Sequence, residues 1–210
     1  MLIVSLEKQK KHLVKLGFSD GGSCLLDIDV CTDNSICTGT DIQEETLQGL
    51  CFESDFRRAK SRALWYLDRS DYTANAIYKK LVTAKFSKEA AAAAIARLEE
   101  LGIIDDRRFA ERFCEKCAER NISKREMFYK MLEKGVNYEL AKEMLDETEV
   151  DEQTQLKNLI EGKYASRLCG ERGTEKVFAA LVRKGFSYSS VRSALREYGK
   201  ESELNGEYDV

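Results

Sequence analysis

The chain has 210 residues, 43% of them hydrophobic and 34% charged, and its 34 basic and 37 acidic side chains leave a formal net charge of −3. The lack of proline and the modest number of glycines exclude collagen-like and proline-rich classes, while the apolar share is large enough for a folded core. No apolar run approaches the about 18 to 20 residues of a membrane span, so we expect a globular cytoplasmic protein that does not contact membranes.

The first 52 residues are predicted to form a small antiparallel β domain. Short β-prone runs occupy Leu2–Val4 and His12–Leu16, and a glycine-containing turn precedes a third run at Cys24–Ile28. Residues 40–50 then predict a short helix that leads into the rest of the chain. With 4 basic and 8 acidic side chains, this domain is acidic.

From residue 53 onward the pattern is helical, and the chain resembles itself at a shift of 50 residues. The matching positions carry apolar or helix-capping residues in three copies. They are Ile77, Met127 and Val177; Tyr78, Phe128 and Phe178; Leu81, Met131 and Leu181; Val82, Leu132 and Val182; Phe86, Val136 and Phe186; Ser87, Asn137 and Ser187; and Ile95, Leu145 and Leu195. This self-similarity indicates a repeated supersecondary unit whose copies bury each other's apolar faces.

Each copy is predicted to contain three helices. Most of the predicted starts of the second and third helices carry residues whose side chains cap free backbone amides. The starts are Thr73, Ser123 and Gly173 or Thr174 for the second helix, and Ser87, Asn137 and Ser187 for the third. The second helix should end just before Lys85, Gly135 and Gly185, a position that favours a left-handed backbone.

The sequence therefore predicts a mainly α protein, in which three tandem three-helix repeats form an elongated curved body after the small antiparallel β domain. The last residues have no apolar stripe and carry 1 basic and 4 acidic side chains. The predicted boundaries are 1–52 for the β domain, 53–102, 103–150 and 151–199 for the repeats, and 200–210 for a disordered acidic tail.

Signals of catalysis are poor. The one histidine, His12, lies in a predicted strand without a nucleophile pattern around it, and the chain has no glycine-rich phosphate loop. We therefore expect no enzyme activity and no cofactor.

Cys114 and Cys117 have the spacing of a zinc or redox pair. We favour core packing, because the repeat places Leu64 and Leu67 at these positions in the first copy and Tyr164 at the first of them in the third copy. Seven scattered cysteines also fit reduced thiols better than a disulfide framework. We expect no metal.

Two further features have a structural and a functional interpretation. Asp105 and Asp106 resemble a pair of metal-binding carboxylates, but they precede a predicted helix, where carboxylates cap free amides. Trp65 is either buried or exposed for stacking, and we favour burial because it is the commoner fate of a large aromatic residue.

Basic side chains are more informative than these features. A solvated helix face explains any single one of them, but two positions recur between repeats, as Lys80 with Lys130 and as Lys134 with Lys184. Repeated modules place equivalent side chains along one surface suited to a polymer. The candidate binding residues are Arg57, Arg58, Lys79, Lys80, Arg125, Lys130, Lys134, Arg183 and Lys184.

Four stretches of the sequence together resemble the RecX family of bacterial recombination regulators. They are Arg62–Leu67, Tyr72-Thr73, Leu98–Ala110 with its Leu-Gly-Ile-Ile-Asp-Asp-Arg-Arg-Phe-Ala run, and Leu132–Val136. The resemblance is clear over about residues 55–198 and weak before them. It implies a non-enzymatic monomer that binds the RecA filament in its groove, inhibits or disassembles it, and limits recombination and ATP turnover.

A direct DNA-binding module is the alternative, because three-helix units also occur in helix-turn-helix transcription regulators. The net negative charge and the scarcity of Asn and Gln on the basic helices argue for DNA binding that is weak, salt-sensitive and without sequence preference. The sequence leaves open whether the filament or bare DNA, single- or double-stranded, is the main ligand.

Overall fold

A computed structural model describes residues 1–10 and 12–198. The chain begins with an antiparallel sheet of strand order β1-β2-β3. The strands are β1 (Ile3–Lys8), β2 (Leu13–Phe18) and β3 (Ser23–Asp27). On one face of the sheet, Leu16 and Leu26 are fully buried and pack with Val30. The predicted small antiparallel sheet is confirmed.

Two helices follow the sheet, and both differ from the sequence-based prediction. The run predicted to be a strand as far as Ile28 ends at Asp27, whose carboxylate accepts a hydrogen bond from the Asp29 amide and caps α1 (Ile28–Asp33). The predicted short helix is the first part of a much longer one, α2 (Glu44–Leu67). The predicted boundary between the β domain and the first repeat, at residue 52, therefore lies inside a continuous helix. The sequence has no proline that would interrupt α2 there.

The remaining helices fall into three groups. The first group is completed by the end of α2, and in the third group a π-helical segment separates α8 from α9. Their bounds are α3 (Ala74–Thr83) and α4 (Lys88–Glu100); α5 (Asp106–Glu119), α6 (Lys124–Glu133) and α7 (Tyr138–Glu147); α8 (Glu152–Leu159), the π-helical segment (Ile160–Tyr164), α9 (Ala165–Leu168), α10 (Gly173–Arg183) and α11 (Tyr188–Glu197).

Local capping chemistry explains where these helices start and end. The side chains of Thr73, Ser87, Ser123, Asn137 and Ser187 each accept a hydrogen bond from a backbone amide of the helix they precede. These predicted caps are confirmed. The predicted left-handed position after the second helix is also confirmed, with φ of 71° at Lys85, 92° at Gly135 and 89° at Gly185.

The described chain divides into two compact units, which meet in sequence between Asp105 and Asp106. The first unit holds the sheet core and a helical core around Ala63 and Leu81. The second unit holds one core around Met131 and another around Ile160. The mainly α fold with a small antiparallel sheet is thus confirmed. No helix in the described residues is long and apolar enough to cross a membrane, and the predicted acidic tail at 200–210 lies outside them.

The interpretation of Cys114 and Cys117 as core residues is confirmed by their exposures of 3% and 4%. The Cys114 thiol lies 3.7 Å from the sulfur of Met131, and burial raises the pKa of both thiols.

We expect replacement of both cysteines by serine to lower the free energy of unfolding by about 1 to 3 kcal/mol, because two hydroxyl groups would be placed in an apolar core. Urea unfolding of the two proteins measures this difference. In the native protein, a thiol reagent at pH 8 should modify the exposed Cys37 and Cys169 much faster than these two buried thiols, which carry little thiolate at that pH. Rapid modification of Cys114 or Cys117 in the folded protein would contradict this assignment.

Candidate functional site

A groove in the second unit brings together four of the nine candidate binding residues. It lies between α6 and the end of α10 and has a volume of about 570 Å³. Its lining is Arg125, Glu126, Tyr129, Lys130, Glu133, Val182, Arg183, Lys184 and Gly185. We refer to it as the basic groove.

One hydrogen bond and one glycine hold the two walls of the basic groove together. The buried Ser123 hydroxyl caps α6 and also donates a 2.5 Å hydrogen bond to the carbonyl of Lys184, which is the C-cap of α10. Gly185 follows with a φ of 89°, and a Cβ at that position would lie 2.8 Å from the Ser123 oxygen. A larger residue at position 185 would therefore press against the hydroxyl that joins the two walls, and the positive φ also favours glycine.

The cations of the basic groove are of two kinds. Glu126 lies 3.4 Å from the Lys130 ammonium and 4.0 Å from that of Lys184, so both lysines are partly neutralised. Arg125 and Arg183 are exposed and form no ion pair within the described residues. Two guanidinium groups on opposite walls are therefore available for an anionic partner, and Tyr129, 58% exposed, lies beside them.

Comparisons with known proteins agree on one family. The model of RecX, first three-helix domain, matches residues 59–98. A regulatory protein RecX from Clostridium tetani is 25% identical over 199 residues, which cover 92% of this chain and 92% of the relative. A regulatory protein RecX from Chlorobium phaeobacteroides is 29% identical over 146 residues, which cover 68% of this chain and 95% of the relative. These comparisons support the resemblance of the chain to the RecX family.

Solved structures share the fold of this chain. The crystal structure of a regulatory protein RecX matches with a TM-score of 0.66 at 22% identity, covering 93% of this chain and 98% of the other. The crystal structure of RecX from Lactobacillus salivarius matches with a TM-score of 0.61 at 22% identity, covering 69% of this chain and 97% of the other.

The most specific RecX-like motif has a structural role here. Arg107 hydrogen-bonds Glu143 at 2.7 Å and Glu147 at 2.9 Å, and it also pairs with Glu111 at 3.3 Å. These contacts tie α5 to α7 and raise the pKa of the guanidinium. The motif therefore positions a helix, and the charge of Arg107 is already neutralised.

The other five candidate residues lie outside the basic groove. Lys134, the C-cap of α6, is exposed but does not line the groove. Lys79 is exposed on α3, and the ammonium of Lys80 lies 4.6 Å from the centroid of the Tyr72 ring. The nine residues thus fall into separate groups, and their roles in binding remain predictions.

Arg57 and Arg58 on α2 form ion pairs with acidic residues of the first unit. Arg57 pairs with Asp33 at 2.7 Å and with Glu53 at 2.5 Å, and both hydrogen bonds raise its pKa. Arg58 pairs with Asp55 at 3.3 Å. Both arginines nevertheless line a second cavity of about 490 Å³.

The prediction that Trp65 is buried is wrong, since the residue is 45% exposed. The buried stripe of α2 includes Ala59 and Ala63, and at about 100° per residue Trp65 lies on another side of the helix. Its ring contacts the guanidinium groups of Arg62 and Arg69 instead. The helical spacing of Ala59 and Ala63 in the sequence could have predicted this exposure, because it defines the buried side of α2.

The structure contains a cluster of potential metal ligands that was not predicted from the sequence. It consists of His12, Asp27 and Asp29. Their ligand atoms lie within 4.8 Å of one another, at the edge of the second cavity. Arg57, Arg58 and Arg62 line the same cavity, and the Asp27 carboxylate already accepts a backbone hydrogen bond. Because the guanidinium groups oppose binding of a cation, we assign no metal to this group.

Proposed function

We propose that this protein is a non-enzymatic regulator of RecA that binds the RecA nucleoprotein filament in its groove and inhibits or disassembles it. The consequence is limited recombination and limited ATP turnover during DNA repair and the SOS response. In this proposal the protein acts as a cytoplasmic monomer and needs no cofactor. Similarity to the regulatory proteins of the RecX family supports the regulatory role.

The basic groove is the observation that supports contact with a filament. Its two walls come from the second helices of successive modules, and each wall presents one arginine that forms no ion pair with any other residue the structure describes. Arginine forms strong paired hydrogen bonds with carboxylates and phosphates, which are the anionic groups that a nucleoprotein filament offers. We include the outlying basic residues of the first unit as a second set of contacts in this proposal.

The test is the DNA-dependent ATPase of RecA from the same organism. We expect substoichiometric amounts of this protein to inhibit ATP hydrolysis. One bound molecule that blocks or shortens a filament would stop ATP hydrolysis by many RecA protomers. Inhibition should persist when bare DNA is added in excess. An ATPase that is unaffected even at equimolar protein would refute the proposal.

The alternative function is a DNA-binding module without sequence preference, or a helix-turn-helix-like transcription regulator. Neither Asn nor Gln lines the basic groove, and these are the side chains that read adenine edges. Binding of bare DNA through this groove would therefore be weak, indifferent to sequence and strongly dependent on salt. Loss of ATPase inhibition on addition of excess DNA would favour this alternative.

A further inference from the structure

A series of alternating cations and aromatic rings lies at the surface of the first unit, where two of its rings, Tyr66 and Tyr72, also pack against the helical core. The guanidinium of Arg69 lies 3.6 Å from the centroid of the Trp65 ring, and that of Arg62 lies 5.2 Å from the same centroid. Arg62 is also 6.0 Å from the centroid of Tyr66, whose ring meets Trp65 edge-on at 5.2 Å. Spacings of three and four residues on α2 place Arg62 beside Trp65 and Tyr66, and Arg69 reaches the Trp65 ring from just beyond the end of the helix.

The series continues from α2 to α3 through Lys80. Its ammonium lies 5.1 Å from the centroid of Tyr66 and 4.6 Å from that of Tyr72, and the two rings meet edge-on at 6.5 Å. This second part is not a product of helical spacing, because its members come from different segments. We refer to the whole set as the cation–aromatic ladder, which consists of Arg69, Trp65, Arg62, Tyr66, Lys80 and Tyr72.

The cavity of about 490 Å³ adjoins the ladder and shares two members with it. Arg62 and Trp65 line it together with Arg57, Arg58 and the ring of Phe86. The Arg62 guanidinium forms no ion pair within the described part of the chain, so its contacts with the Trp65 and Tyr66 rings leave its charge uncompensated. The cavity therefore has the exposed indole of Trp65 and the uncompensated guanidinium of Arg62 side by side in its lining.

We propose that the cation–aromatic ladder binds single-stranded nucleic acid, with a base stacked at Trp65 and a neighbouring phosphate on Arg62. Aromatic rings interleaved with cations are suited to this ligand, because every base has a π face and every nucleotide a negative charge. A protein partner would instead be expected to bury a continuous apolar patch, whereas here cations flank the rings on α2 and on α3. This inference goes beyond the proposed function and does not depend on it.

Trp65 is the only tryptophan in the chain, so its fluorescence reports on the ladder directly. The experiment is a titration of the full protein, without RecA, with an oligothymidine of about 12 nucleotides, within the usual site range for single strands. We expect saturable quenching of the emission, with an affinity that falls as salt rises. An oligonucleotide that binds, as measured by anisotropy of a label on the DNA, without changing Trp65 emission would overturn the proposal.

Variants of neighbouring positions on α2 separate stacking from general charge. Trp65→Ala should weaken oligothymidine binding at least about fivefold, while Trp65→Phe, which keeps a stacking ring, should recover most of the affinity. Leu64→Ala is the matched control, because Leu64 is 40% exposed beside Trp65 but has no π face, and its affinity should be unchanged. Arg62→Gln should weaken binding and make the salt dependence shallower. Equal losses in Trp65→Ala and Leu64→Ala would refute a stacking contact.

Three further ligands identify what the ladder recognises. An abasic oligonucleotide of the same length should bind more weakly and leave the emission nearly unchanged, and equal binding would refute base stacking. Thymidine monophosphate should quench the emission only at much higher concentrations, and equal affinity would show a free nucleotide to be the ligand. Polyglutamate should not quench, and quenching by polyglutamate alone would assign the surface to an acidic protein and overturn the proposal. None of these outcomes depends on inhibition of RecA.

Discussion

Reversing the charge of Arg125 and Arg183 together should weaken inhibition of the RecA ATPase at least about tenfold, which corresponds to about 1.4 kcal/mol of binding free energy. These two arginines lie on opposite walls of the basic groove and have no ion-pair partner within the described residues, so an Arg125→Glu/Arg183→Glu protein loses two attractions and gains two repulsions. The concentration for half-maximal inhibition, measured at matched ionic strength, gives the effect.

The control is a protein with the same change in net charge at another place. Lys142 on α7 and Lys157 on α8 are exposed, lie in the same unit and do not line the groove, so Lys142→Glu/Lys157→Glu should inhibit nearly as well as the original protein. Both proteins should keep the helical circular-dichroism signal, because exposed substitutions usually change stability by only about 0.5 kcal/mol each. Equal inhibition by both variants would assign the basic groove to a solvated surface.

Replacing Gly185 by alanine should be one of the most destabilising single methyl additions in the second unit. The backbone at Gly185 has a φ of 89°, which costs a non-glycine residue about 1 to 2 kcal/mol. The new Cβ would also lie 2.8 Å from the Ser123 oxygen and 3.0 Å from the Cβ of Arg125, and such overpacking costs about 1 to 3 kcal/mol more. Chemical unfolding of the purified variant measures the sum.

Gly102→Ala separates these two costs. Gly102 follows the C-cap of α4 as Gly185 follows that of α10, and its φ is also positive at 64°, but nothing lies within 4 Å of an added Cβ. This variant should lose only the backbone contribution. Because the clash at Gly185 lies between the two walls of the basic groove, Gly185→Ala should also weaken ATPase inhibition, whereas Gly102→Ala should not. Equal losses of stability in the two variants would contradict the expected clash, because they would show that the two walls of the basic groove can move apart to accommodate the added methyl group.

Helix caps and helix ends could be predicted from the sequence, because they depend on interactions between residues close together in the chain. Ser87 and Ser123 cap helices because a hydroxyl one residue before a helix satisfies amides within the next turn, whatever the rest of the fold does. The left-handed residue after the second helix follows from the same local geometry, even where the first module has Lys85. The period of 50 residues then predicted three equivalent helical groups.

Features decided by contacts between modules were not accessible in this way. The repeat relates Lys134 to Lys184, yet only Lys184 lines the basic groove, because there the end of α10 faces the start of α6. A repeat identifies equivalent positions in each module but does not say which different positions meet. The exposure of Trp65 similarly depends on which side of α2 faces its module, and a general preference of aromatic residues for burial does not decide it.

The continuity of α2 fixes the rotational phase between the sheet and the first helical module. Leu50 packs into the sheet core and Ala59 into the core of the module, and both lie on one uninterrupted helix. A single residue inserted between them would turn one contact face by about 100° relative to the other and shift it by about 1.5 Å, whereas about seven residues, two helical turns, would restore the phase. Chains of this architecture should therefore vary in length in the loop at residues 34–43, and within α2 only by numbers of residues close to whole turns, such as about 7 or 11.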